Sequence, residues 1–356
     1  MKILQVMAGA AHGGAETAFV DMCIALHDAG EEIEVVTRKN PARQARLDEA
    51  GIKTHTLPFG SMVDIYTSWR MRKIIREFKP HIVQTWMSRA AQRTPRWSAA
   101  EGIPRYLVVA RLGGYYKAAH FGSADYYSTI TPDIRRHLIE AGIAADKIRH
   151  INNFAELESS GVPLDRAAFD TPADAPLLLA LGRLHKAKAM DVLMDAVKLV
   201  PGAYLWIAGE GPDRQMLEEY CAQIGMSGRV RFLGWRDDRA ALFATADICV
   251  FPSRYEPFGT VFVQAWAQKV PLVTTASDGP RQYVRDSEDG LMVPVDDAPA
   301  LAAAIQRVID DPDLAARMTA RGFARYQNEF TKARTVAQYL DYYHEMLTRE
   351  GLTVLA

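Results

Sequence analysis

Two stretches of the chain bring together residue types suited to a negatively charged ligand. Gly182-Arg183-Leu184-His185-Lys186-Ala187-Lys188 comes directly after the apolar run Leu177 to Leu181. Basic residues in a loop are mostly solvated charge. At the end of a buried strand, behind a glycine that permits close approach, they suit phosphate instead, with Arg183 as a bidentate donor and Lys188 as a point charge. The second stretch is Phe251-Pro-Ser-Arg-Tyr-Glu-Pro-Phe-Gly-Thr-Val-Phe-Val-Gln-Ala-Trp-Ala267. Ile248 to Phe251 has strand length, Pro252, Pro257 and Gly259 punctuate the loop after it, and the apolar residues after Thr260 continue without breakers. A helix N-terminus near Gly259 would offer free amides and the positive end of a dipole to an anion. Glu256 stands at its mouth and Gln264 about two turns along, polar groups for the polyol part of such a ligand.

Parallel α/β units are needed to place these loops, and the pattern supplies them. Strands are expected at Lys2 to Ala8, Glu32 to Thr37, Thr54 to Leu57, His81 to Thr85, Arg105 to Ala110, Tyr126 to Thr129 and Lys147 to Phe154. Helices are expected at Ala15 to Ala29, Asp64 to Phe78 and Pro132 to Ala141. Prolines 163, 172 and 176 mark a linker around 155 to 176. A second series comes after it, with strands Leu177 to Leu181, Ala203 to Ala208, Val230 to Leu233, Ile248 to Phe251 and Leu272 to Thr275. Its helices are Asp191 to Val200, Gly211 to Ile224 and Arg239 to Ala244. The expectation is an α/β chain with a first Rossmann-like domain over 1–160 and a second over 175–330, facing across a cleft. The last helix, about 333–356, is expected to return to the first domain.

At the first strand's end lies Gly9-Ala10-Ala11-His12-Gly13-Gly14, and two adjacent glycines at a helix start favour close approach of a ligand over a mere tight turn. The loop does not fit G-x-G-x-x-G, and the next strand ends in Thr37-Arg38-Lys39 where a dinucleotide site wants an acid. Gly209-Glu210-Gly211-Pro212 is, alone, only a good turn.

The 356 residues suit two domains, and 42 basic against 43 acidic side chains argue against a general nucleic-acid binder. Cys23, Cys221 and Cys249 are far apart in apolar surroundings, which favours buried thiols in a reducing compartment, and no Cys/His spacing suggests zinc. The short apolar start reads as a strand rather than an export signal, and no apolar run is long enough to span a membrane. A cytoplasmic protein is expected, with room for contact at a membrane face.

Taken together, Gly13-Gly14-Ala15-Glu16, Gly182-Arg183-Leu184 with Lys188, Gly209-Glu210-Gly211-Pro212, Phe232-Leu233-Gly234, Pro252-Ser253-Arg254-Tyr255-Glu256-Pro257-Phe258-Gly259 and Asp289-Gly290-Leu291 resemble the retaining, GT-B-fold glycosyltransferases of family 4. The set spans nearly the whole chain in order. The resemblance implies sugar transfer from a nucleotide-sugar donor to an acceptor hydroxyl, with retention and no obligatory metal or other cofactor. It implies that Arg183 and Lys188 hold the leaving diphosphate together with the backbone at Gly182, Gly211, Gly13 and Gly14. Glu256 would bind sugar hydroxyls. Phe258, Gly259, Thr260 and Val261 would line sugar and phosphate, and Leu233, Gly234 and Trp235 would flank the base. The sequence departs from the family where Gln264 and Gln282 replace common glutamates and where Ala189 replaces a glycine. The lost charge at Gln264 should weaken bonds to the ribose by about 1 kcal/mol or more.

The acceptor is expected to be a glycan or lipid-linked glycan bound by the first domain. From Tyr66 to Arg111, basic residues 70, 72, 73, 76, 79, 89, 93, 96, 105 and 111 stand against Glu77 and Glu101, interleaved with Trp69, Trp86 and Trp97. A solvated helix face accounts for part of this; an anionic membrane or anionic acceptor accounts for the rest. Trp86, Arg89, Arg111 and His120 are the acceptor-side candidates. A nucleotide-sugar binder without transfer activity is the competing function, motivated by Gln264 and Gln282.

Overall fold

The computed structural model describes residues 1–10, 13–60, 64–156 and 161–352. Ala11 and His12 of the expected glycine loop, 157–160 of the expected linker and first domain, and 353–356 of the expected last helix lie outside that set. The chain divides into two compact units: Met1–Asn153 together with the stretch from Lys332 onward, and Phe154–Thr331.

In the first unit, β1 (Lys2–Met7), β2 (Glu32–Thr37), β3 (Lys53–Thr56), β4 (Ile82–Trp86), β5 (Leu107–Leu112), β6 (Tyr126–Thr129) and β7 (Ile148–His150) pair in the order β3-β2-β1-β4-β5-β6-β7. All the pairings are parallel. Around them lie α1 (Gly14–Asp28), α2 (Pro41–Glu49), α3 (Ile65–Phe78), α4 (Met87–Arg93) and α5 (Pro132–Glu140). In the second unit, β8 (Leu177–Leu181), β9 (Tyr204–Ala208), β10 (Val230–Gly234), β11 (Ile248–Phe251), β12 (Leu272–Thr275) and β13 (Leu291–Val293) form a parallel sheet in the order β10-β9-β8-β11-β12-β13. Its helices are α6 (Met190–Lys198), α7 (Arg214–Gln223), α8 (Arg239–Thr245), α9 (Thr260–Ala267), α10 (Pro280–Tyr283), α11 (Ala298–Asp310) and α12 (Pro312–Glu329). The last helix, α13 (Lys332–Arg349), belongs to the first unit. Central strands covered on both faces are mostly apolar, and β4, β5 and β8 are buried at every position, Gln84, Thr85 and Arg111 included.

Strand order reverses between β1 and β4 in one sheet and between β8 and β11 in the other. At such a switch point the neighbouring loops leave in opposite directions and open a crevice at the carboxyl ends of the strands. The two chemistry-bearing stretches of the second unit leave β8 and β11, so the topology sets them on either side of one such crevice.

The α13 helix is fixed by polar contacts as much as by apolar ones. Tyr339, Tyr342 and Tyr343 are buried. Tyr343 donates to Gln84 on β4, and the single Tyr342 hydroxyl proton is shared between the carbonyls of Tyr127 and Lys147, each 2.9 Å from its oxygen. Gln84 is wholly buried, so losing its donor leaves an acceptor unsatisfied. Tyr343→Phe is therefore expected to destabilise the first unit by about 1–3 kcal/mol; a urea midpoint equal to the wild type's would contradict this anchoring role.

Candidate functional site

Along the carboxyl edge of the second sheet the candidate residues stand in strand order. Gly234 and Trp235 lie at the end of β10, Gly209 and Gly211 after β9, Gly182, Arg183 and Lys188 after β8, and Glu256 to Gly259 after β11. Lys188 and Glu256, 68 residues apart in sequence, form an ion pair. Their side chains are 22% and 16% exposed, so the pair is partly shielded yet within reach of a ligand. The Lys188 ammonium also lies 5.6 Å from the centre of the Phe251 ring. Arg183 is exposed and has no ion-pair partner among the described residues.

Helix α9 begins at Thr260 with no side-chain cap. Its N-cap is Gly259 at φ +98, a left-handed conformation that disfavours side chains. A Cβ there would also lie 2.7 Å from the Phe251 ring and 3.2 Å from Glu256 Cγ. The missing side chain thus leaves room for the Glu256 stem beside the uncapped helix end. Thr260, Val261 and Gln264 are half-buried, and Phe258 is buried against Phe262, Tyr283 and Phe330. Phe258 holds the loop by packing into the aromatic cluster.

Arg254 joins the two loops, a role that sequence reasoning missed. Its guanidinium donates to both carboxylate oxygens of Asp191 at 2.9 and 2.7 Å and to the Lys186 carbonyl at 2.8 Å, and its own amide donates to the Ala187 carbonyl at 2.9 Å. Burial would raise the Asp191 pKa, but Arg254's bonds and charge outweigh it and hold the carboxyl below its ordinary value. The only signal was an arginine two positions before Glu256; its partner is 63 residues away. Ala189, buried between Lys188 and α6, has φ +53. That left-handed conformation costs a non-glycine residue roughly 1 kcal/mol, which gives a physical reason for the glycine expected there.

Gly209 and Gly211 serve backbone packing. A Cβ at Gly209 would collide with the Gly182 carbonyl, and one at Gly211 with that of Leu184. The helix expected from Gly211 starts only at Arg214, because 211–213 pack as a turn under the Leu184 loop, whose carbonyl accepts from the Asp213 amide at 3.1 Å. Farther out, Leu233 is half-buried and Trp235 is 51% exposed, with its indole N–H on Asp237 at 2.9 Å.

In the first unit, Gly13 is the N-cap of α1 and Gly14 its first residue. Glu16 turns back over this end, accepting from the Ala10 amide at 2.7 Å and occupying the space a Gly13 side chain would need. Trp86 and Arg111 require correction as exposed acceptor contacts. Trp86 is wholly buried, donates to Gln5 at 2.8 Å and stacks under the Arg111 guanidinium at 3.7 Å. Arg111 is 3% exposed and donates to Asn153. Burial pulls its pKa down, opposed by Tyr339, Tyr116 and Tyr343. Both side chains are used by the core beneath α13. Arg89 is exposed on α4, and His120 is half-buried in a short 3-10 turn. No cluster of three or more His, Cys, Asp or Glu suited to a metal occurs among the described residues.

Comparison with known proteins decides the family. Residues 12–159 match the model described as Glycosyltransferase Family 4, and 162–325 match Glycosyl transferases group 1. The lipopolysaccharide core biosynthesis glycosyltransferase LpsE of Rhizobium meliloti (strain 1021) is 35% identical over 92% of this chain and 95% of its own. The chain belongs to the group 1 / family 4 glycosyltransferases. A second relative from the same organism, the lipopolysaccharide core biosynthesis glycosyltransferase LpsD, is 34% identical over 96% of this chain and 97% of its own. Among solved structures, Anabaena HepE in complex with UDP and glucose superposes with a TM-score of 0.83 at 21% identity, covering 97% of this chain and 100% of that one. The glycosyltransferase thus has the GT-B fold expected from its sequence, an α/β fold with a parallel sheet in each unit.

The Glu256 loop of this glycosyltransferase is held by the turn after β12. Gly279 donates its amide to the Glu256 carbonyl at 2.7 Å, and a Cβ at Gly279 would collide with the Phe258 carbonyl. Gly279→Ala should displace the loop and weaken nucleotide-sugar binding about tenfold or more, with the unfolding transition retained. Unchanged affinity by calorimetry would mean that this loop does not contact the donor.

Proposed function

We propose that this glycosyltransferase moves a hexose from a nucleotide-sugar donor to an acceptor hydroxyl with retention at the anomeric carbon. The acceptor is assigned to lipopolysaccharide core or a related lipid-linked cell-surface glycan. The observation that carries the reading is the Lys188–Glu256 pair at the switch point, beside the uncapped start of α9. The bond from the anomeric carbon to the phosphate oxygen breaks and the diphosphate leaves with the electron pair, while the acceptor oxygen bonds to that carbon on the same face and its hydroxyl proton passes to the departing phosphate. Arg183, Lys188 and the α9 amides stabilise that growing charge without first having to reorganise. Glu256, released from Lys188 by the incoming phosphate, accepts from sugar hydroxyls. Gly182, Leu233, Gly234 and Trp235 border the nucleotide. With two side-chain cations in place no divalent ion is required, so activity should survive a chelator.

The names of LpsE and LpsD, matched over more than nine-tenths of this chain, support the lipopolysaccharide assignment, and the UDP and glucose in HepE support a nucleotide-sugar donor. Among the described residues no helix is long and apolar enough to cross a membrane. The enzyme is assigned to the cytoplasm, peripheral to the anionic inner face of the membrane, where a lipid-linked acceptor would be met. Binding without transfer is the second reading: Gln264 offers an amide where a carboxylate would hold ribose more tightly.

A panel of nucleotide sugars, assayed for transfer and for donor hydrolysis with and without chelator, separates the two. Arg183→Ala and Lys188→Ala are each expected to lower turnover about a hundredfold or more while the fold survives. Variants with wild-type activity would remove these roles, and tight donor binding with neither transfer nor hydrolysis would favour the binder.

A further inference from the structure

Helix α3 has two faces of different character. Thr67, Met71, Ile74, Ile75 and Phe78 are buried and anchor it to the first unit. The opposite face carries Ile65, Tyr66 and Trp69, which are 76%, 55% and 57% exposed. The Tyr66 and Trp69 rings lie 6.2 Å apart. The other large exposed apolar side chains are dispersed along the sequence, at positions 139, 162, 199, 216, 235 and 255. Two turns farther along the same outward face come Arg72, Lys73 and Arg76, also exposed. Arg72 reaches Glu101 at 3.4 Å and Lys73 reaches Glu77 at 3.8 Å, both loose surface pairs, and Arg76 has no acidic partner among the described residues.

We propose that this face of α3 docks on an anionic lipid surface, with Ile65, Tyr66 and Trp69 entering the headgroup layer and Arg72, Lys73 and Arg76 lying over the lipid phosphates. The sequence of types along the face carries the assignment. Aromatic rings with polar edges favour the boundary between water and hydrocarbon, and cations beside them add attraction to negative headgroups. Three apolar side chains fall far short of the roughly 20–30 residues a side of a stable protein interface, which argues against a second copy of the chain. The basic stretch of the sequence is thereby narrowed to one helix face. Within that stretch Trp86 is in the core and Trp97 is half-buried with its N–H on the Ile103 carbonyl at 3.2 Å, so of its three tryptophans Trp69 is the one exposed to meet lipid. The inference deepens the membrane-face reading above and rests on it for its purpose, but its test needs neither donor nor acceptor, so failure of sugar transfer and failure of docking are seen separately.

The test is co-sedimentation of the full chain with phosphatidylcholine vesicles, with and without phosphatidylglycerol, at low and physiological salt. The protein should bind the anionic vesicles at least about tenfold more tightly than the neutral ones, and salt should weaken that binding. Tyr66→Ser combined with Trp69→Ser should lower binding about tenfold or more with circular dichroism and nucleotide-sugar affinity unchanged. Trp69→Phe should keep most of the binding but lose the blue shift of tryptophan emission on vesicle addition. Absence of binding to anionic vesicles, or equal binding by the double variant, would overturn the proposal. So would a concentration-dependent dimer that the double variant abolishes without any vesicle binding, since the patch would then be an interface between copies.

Discussion

The ion pair between Lys188 and Glu256 is the contact on which the candidate site of the second unit turns. Neither charge is fully in water, so each needs a partner when no ligand is bound, and here each is the other's partner. The arrangement stores a cation and a carboxylate at one point without exposing an isolated charge. A ligand that brings phosphate for the lysine and hydroxyls for the glutamate can divide the pair and satisfy both ends. The surrounding features keep the two groups in register. Arg254 ties the β8 and β11 loops together, Gly259 clears the path of the Glu256 side chain, and Gly279 binds that residue's carbonyl.

A comparable constraint governs the first unit, where polar side chains work inside the sheet. Gln5, Gln84, Trp86 and Arg111 are buried on neighbouring strands and interlock with Tyr339 and Tyr343 of α13. The bonds this network makes across β1, β4, β5 and α13 favour one register of the last helix on the sheet, although Gln5 Nε2, Gln84 Nε2 and Arg111 Nε are buried without a protein partner. Arg111 extends it to Asn153, the residue at which the chain passes to the second unit.

Much of this is legible in the sequence, and the exceptions have physical causes. The runs at Leu177–Leu181, Ile248–Phe251 and Leu272–Thr275, apolar or β-branched, form strands with the expected bounds, because burial on both faces favours that composition. Helix α2 escapes a reading by periodicity although Asn40 caps it and Pro41 opens it, since it buries only Arg43 and Leu47 and so shows almost no apolar stripe. The run from Lys147 to Phe154 reads as one strand, but only Ile148–His150 pairs; beyond it the chain leaves the sheet, and Phe154 already belongs to the second unit. Trp86 and Arg111 look like surface chemistry because tryptophan and arginine are often found there. Their mutual stack, with Gln5 and the α13 tyrosines closing over them, depends on residues up to 259 positions apart and leaves no local trace. Arg254 is silent for the same reason, since its meaning lies in Asp191.

For the donor site to work as proposed, a nucleotide sugar must separate Lys188 from Glu256. A crystal structure of the protein with a nucleoside diphosphate sugar that it turns over or binds tests this most directly. The expected result has Lys188 Nζ within hydrogen-bonding distance of the diphosphate and Glu256 on the sugar hydroxyls, with the α9 amides facing the phosphate. A donor bound elsewhere while the Lys188–Glu256 pair stays intact would contradict it.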